Sequence, residues 1–144
     1  ETSIGVDRTF LAIFSHALKD ETLEDGSTRT VLSLPAKLAP YKAAVLPLVK
    51  KDGLPEKARE VQHVLMPDMM VQYDEKDAIG RRYRRQDAIG TPFCITVDND
   101  TIVDRDAEGR ANDNYGTVTV RHRDTMQQER VSIDQLLGYI KTRI

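Results

Sequence analysis

Two apolar runs, the continuous 43–49 (AAVLPLV) and 92–97 (PFCITV, polar only at Thr96), restrict this chain more than any other feature. A strand with one wet face alternates apolar and polar residues. A run with no polar interruption needs cover on both faces, as parallel strands under helices have. The residues between the runs fit that demand. Pro55 suits the first position of a helix, and Leu54, Ala58, Val61 and Leu65 then share one face. Residues 69–73 (MMVQY) read as a short strand, and residues 77–87 as a helix closed by Gly90. After the second run, Val118 and Val120 alternate with polar neighbours, as do residues 126–131, which predicts a hairpin around Asp124 and Thr125. Ser132 with Gln135 predicts a capping box, followed by a helix on Ile133, Leu136, Leu137 and Ile140. The expected fold is α/β: a mixed, mostly parallel sheet of about five strands flanked by helices.

The front of the chain differs. Phe10, Ile13, Phe14, Ala17 and Leu18 recur at helical spacing within residues 6–18, one apolar face that a lone helix cannot bury. The stretch 20–27 (DETLEDGS) is acidic, ends in Gly-Ser and reads as a linker, so residues 1–20, 21–28 and 29–144 are expected as helix, linker and main domain. Residues 30–34 read as a strand, with Pro35 and Pro40 bracketing a loop. At 144 residues the chain can bury a core without disulfides or metal. Cys94 is its single cysteine, which excludes an internal disulfide framework. A mean hydropathy of −0.47 and the absence of a long apolar run exclude a membrane-spanning helix. No signal peptide pattern stands at the start, and opening on Glu1 suggests a piece of something longer. A net charge of −2 predicts no bulk attraction to nucleic acid, so any such binding needs a local patch.

Such a patch exists. Arg81, Arg82, Arg84 and Arg85 surround Tyr83 in an otherwise acidic chain. Planar guanidinium groups pair with phosphate and stack on bases, so the cluster predicts phosphate or RNA contact. The competing expectation is a helix whose arginines pair with Asp74, Glu75, Asp77 and Asp87. Tyr83, four residues after Ile79, is expected to face the core, and Cys94 to be an inert buried thiol. Asp104, Asp106, Glu108 and Gly109 match the start of a calcium loop, but Tyr115 stands where a bidentate Glu is needed, so a solvated loop is the better reading. His16, His63 and His122 lie far apart and predict no metal cluster. No phosphate-binding Gly-rich loop and no complete catalytic site occur.

Residues 80–98 (GRRYRRQDAIGTPFCITVD) resemble the C-terminal anticodon-binding domain of glycyl-tRNA synthetases. Residues 38–51, 118–131 and 1–8 agree with the same family in order and spacing. The opening, ETSIGVDR, is similar to the third signature motif of class II aminoacyl-tRNA synthetases, with Thr2 where Pro is common. The resemblance implies a parent enzyme that joins glycine to its tRNA through a glycyl-adenylate. It would use ATP and Mg²⁺, usually as a cytoplasmic homodimer. Carried over, Glu1, Thr2, Ser3, Ile4 and Gly5 would face glycine, and Gly5, Val6, Asp7 and Arg8 would face ATP. The first two signature motifs are not among these residues, so the fragment alone is expected to be inactive, with residues 29–144 an anticodon-binding domain. Its implied contacts with the anticodon loop of tRNA(Gly) are Arg81, Arg82, Arg84, Arg85, Thr91, Phe93 and Asp98, with Arg121, Arg123 and Asp124 secondary. His122 replaces an acidic residue common in the family.

A second reading keeps the fold and drops the RNA: a protein-interaction or dimerisation module of an accessory subunit. The net charge of −2 and the acidic stretch 98–113 favour it. A stand-alone small enzyme is the least expected.

Overall fold

In the computed structural model, which describes residues 3–105 and 108–144, both apolar runs become central strands. β3 (Ala43–Pro47) and β5 (Phe93–Val97) pair in parallel, and every residue of each is buried. They belong to a five-stranded sheet of order β4-β3-β5-β6-β7, completed by β4 (Val71–Tyr73), β6 (Thr117–His122) and β7 (Gln128–Ser132). The pairings divide evenly: β4, β3 and β5 run parallel to one another, whereas β6 is antiparallel to both β5 and β7. Only β6 therefore runs against the other four.

The winding puts different cover on each face. Alternate residues, including Ala43, Val45, Ile95, Val97, Val118 and Val120, form the larger core beneath α2 (Leu54–Leu65) and α5 (Ile133–Lys141). Leu54, Ala58, Val61 and Leu65 supply the buried stripe of α2, as their spacing predicts. On the opposite face, Ala44, Leu46 and Cys94 form a small cluster under Ile79 and Tyr83 of α3 (Ile79–Ile89). Burial pushes the Cys94 thiol up to about 12. A thiol reagent should therefore label native protein no faster than the chain unfolds, and labelling that outruns unfolding would contradict this placement.

The first thirty residues hold the main correction. The expected linker, 21–28, is part of an antiparallel hairpin between β1 (Leu18–Thr22) and β2 (Thr28–Leu32). Asp25 accepts from the Ser27 amide and hydroxyl, and Gly26 takes a φ of 79° at the tip. Cross-strand bonds from Arg29 to Glu21 and from Thr30 to Asp20 hold the ladder. The strand read at 30–34 is thus β2, two residues earlier and outside the larger sheet. Helix α1 (Val6–Ala17) forms as expected, but its apolar face is largely uncovered, with Phe10 65% exposed. The Phe10 and Phe14 rings stack with centroids 5.7 Å apart, beside Leu34 and Leu38.

Two local readings also change. Ser132 is the N-cap of α5 but makes no capping bond; the first amide of the helix, on Ile133, donates to the Gly116 carbonyl instead. A capping box forms elsewhere, between Asp98 and Thr101 at the start of α4 (Asn99–Ile102). The loop after α4 is held by the Asn112 side chain, which donates to the carbonyls of Asp100 and Val103. Asp106, part of the calcium-loop reading, lies outside the described residues.

Candidate nucleic-acid interface

The four arginines of α3 diverge because the helix turns them toward different surroundings. Arg82 faces the sheet at 2% exposure and donates to the carbonyls of Asp77 and Pro47. Arg85 lies across Asp74 and Asp77, at 2.7 and 2.8 Å. Its bond holds the Asp77 carboxyl below the usual carboxylate range. Arg84 is 42% exposed and approaches Asp87 only to 3.9 Å. Arg81 is exposed, and its side chain has no hydrogen bond or ion pair among the described residues. Arg81 and Arg84 are thus the members of the cluster with guanidinium edges free for a phosphate. Arg82 is part of the scaffold, and Arg85 behaves as the ion-pair expectation describes.

Asp87 organises the rest. It is fully buried and accepts both terminal nitrogens of Arg121, at 2.8 and 3.0 Å, and one from Arg29 at 3.1 Å. Arg121 also lies 4.8 Å from the centroid of the Tyr83 ring. Arg29 reaches this point from the hairpin and also donates to the Arg123 carbonyl. Arg123 donates to the Gly90 and Leu34 carbonyls and clasps Asp124 through two bonds of 2.8 and 2.9 Å. Burial opposes ionisation of Asp124, but Arg123 prevails and holds its carboxyl below the usual range. The hairpin, α3 and the end of β6 are thereby joined by charge-assisted bonds in a region with few apolar side chains.

The remaining residues implied by the resemblance are similarly occupied. Thr91 is buried and donates to Gln86. Phe93 is buried edge-on to His122. Asp98 caps α4 with one oxygen and binds Arg130 at 2.7 Å with the other. Ser3 to Arg8 are exposed at the start of α1, far from this cluster in the chain, while Glu1 and Thr2 lie outside the described residues.

Sequence reading overlooked Arg29, Glu129, Arg130 and Tyr139. Arg29 and Arg130 sit within strands that alternate with buried valines, and the unmatched charge at such a position is the only signal they offer. Glu129 and Tyr139 are ten residues apart on different elements, and no spacing connects them.

A cleft of about 540 Å³ opens beside Arg123, between residues 33–36, the start of β5, the β6–β7 turn and Arg143. Among the described residues no helix is long and apolar enough to cross a membrane.

Comparison with known proteins gives this geometry a context. Glycine–tRNA ligases from Borrelia hermsii and Chlorobaculum tepidum are 50% and 48% identical to this chain over all of its residues. The chain spans less than a third of their length, 30% and 28% respectively. A crystal structure titled as the RNA binding domain of threonyl-tRNA synthetase from Cryptosporidium parvum Iowa II superimposes with a TM-score of 0.62. It is 24% identical, covering 77% of this chain and 25% of that one, a likeness of fold. The family described as Anticodon binding domain matches residues 42–143, a span that opens beside β3, takes in the whole five-stranded sheet and runs past α5. With more than two thirds of its length inside that match, the chain belongs to the anticodon-binding domain family.

Proposed function

We propose that this chain serves as the anticodon-binding portion of a glycine–tRNA ligase and engages the anticodon loop of the glycine tRNA. The observation that carries the reading is the near-half identity to glycine–tRNA ligases, which extends along all of this chain and not only its core strands. Loop bases are unstacked and accessible, and a protein of net charge −2 attracts the phosphates that carry them where cations are concentrated, as on α3. The accessory-module reading keeps the same fold but has no observation of its own beyond charge.

The whole ligase would join glycine to tRNA using ATP and Mg²⁺, through a glycyl-adenylate, as a cytoplasmic homodimer. Ser3 to Arg8, exposed at the start of α1, are free to line part of a glycine and ATP site that other segments complete. Arg8 would supply a permanent planar cation against the nucleotide.

Arg81→Ala and Arg84→Ala test the reading at the free guanidinium groups. Binding to the glycine anticodon stem-loop across a salt series should weaken for each. The salt slope should fall by about one unit for each phosphate that is no longer neutralised. Unchanged affinity and slope in both variants would remove α3 from the interface. Indifference of the unaltered chain to the anticodon sequence would defeat the proposal itself.

A further inference from the structure

His122 ends β6 at the wall of the 540 Å³ cleft, and its surroundings determine which of its nitrogens carries the proton. Nε2 lies 2.7 Å from the Tyr139 hydroxyl and 3.1 Å from a Glu129 oxygen. The Tyr139 hydroxyl itself donates to Glu129. That bond, then the His122 contact, holds the Glu129 carboxyl below its usual range. With the phenolic proton committed to a carboxylate, both groups facing Nε2 are acceptors, so Nε2 bears the hydrogen. Neutral His122 then has a bare lone pair on Nδ1. That atom has no partner among the described residues, and no buried side-chain nitrogen or oxygen among them lacks one, so Nδ1 touches solvent, on a residue that lines the cleft.

We propose that this cleft seats one unstacked nucleobase and that His122 Nδ1 accepts a hydrogen bond from its exocyclic amino group. The inference rests on the anticodon-binding reading above. Pro35 and Pro92 give the cleft apolar walls, and the Phe93 ring, edge-on to the imidazole at 5.3 Å, gives it a floor. Arg143, lying 3.7 Å over the Tyr139 ring, contributes a cation at the rim. The other charges here, Arg123 and Asp124, are spent on each other and on backbone carbonyls. The lone pair of His122, beside the hydroxyls of Ser33 and Thr125, is thus a ring acceptor able to discriminate. It favours cytosine N4 or adenine N6, both amino donors, over uracil O4 or the inosine oxygen, both acceptors.

The test binds this chain to the glycine anticodon stem-loop, replacing each loop cytosine by uracil and each loop adenine by inosine in turn. One replacement should weaken binding by about tenfold. In His122→Phe the same replacement should cost nothing, while preferences at other loop positions persist. Imidazole ¹⁵N spectra of the unaltered chain give an independent reading that no folding defect can mimic. Nδ1 should be unprotonated and should shift on adding the stem-loop. A protonated or unmoved Nδ1, or a base preference unaltered in His122→Phe, would overturn this assignment and leave the anticodon reading intact. Indifference to every loop base would defeat both.

Discussion

Replacing Asp87 with alanine is expected to cost this fold about 3–5 kcal/mol, the range for removing one partner of a buried ion pair. The carboxylate is fully buried, and two nearly buried guanidinium groups, Arg29 and Arg121, depend on it. Without it, among the described residues, Arg121 stays buried with no carboxylate beside it, while Arg29 keeps only Glu21. Asp87→Asn retains one acceptor oxygen but neither the charge nor the fork-on-fork geometry toward Arg121, so it should fall between alanine and the native residue. Urea denaturation of the three proteins would measure the series. A loss below about 1 kcal/mol in the alanine variant would show that the arginines find water or other carboxylates once Asp87 is gone.

The second large effect is expected at Gly90. It ends α3 with a φ of 84°, a left-handed conformation that side chains resist. A Cβ there would also stand 2.9 Å from the Leu32 carbonyl oxygen, which belongs to the hairpin. Strain and close approach thus add in Gly90→Ala, which should lose at least about 2 kcal/mol. Gly53 provides the internal comparison, with a φ of 79° but nothing within 4 Å of the added methyl. Gly53→Ala should show the conformational cost alone, about 1 kcal/mol. Equal losses at the two sites would mean that the hairpin yields to the methyl group.

The contrast between the two faces of the sheet explains how much could be read in advance. The α2 and α5 side is apolar, and its residues announce themselves by spacing: Leu54, Ala58, Val61 and Leu65 lie where periodicity puts them. On the α3 side the sheet contributes a small apolar cluster of Ala44, Leu46 and Cys94, and polar bonds complete it. Four arginines in five positions spread over about 160° of a helix. Which one turns inward depends on the Pro47 and Asp77 carbonyls, whose positions no local pattern encodes. Strand β1 (LKDET) was illegible for a related reason. Its residues have little intrinsic preference for a strand and few are buried, so β2 and the Asp25-Gly26 turn impose its form. Asp-Gly was a visible hairpin cue that the acidic composition masked. The two capping sites make the same point: Ser132 has the right partner three residues on, yet its side chain makes no capping bond, and a carbonyl from the β6 approach takes the first amide of its helix.

Helix α1 ends at Ala17 and β1 begins at Leu18, with no residue between them, and the Ala17 carbonyl accepts from Ser33 just beyond β2. The hairpin is in turn bolted to the sheet through Arg29. A slack tether would let α1 and the sheet tumble separately. This junction makes them a bracket, so any body that grips Phe10 and Phe14 takes its bearing from the sheet, and a torque applied at one end arrives at the other without lost motion.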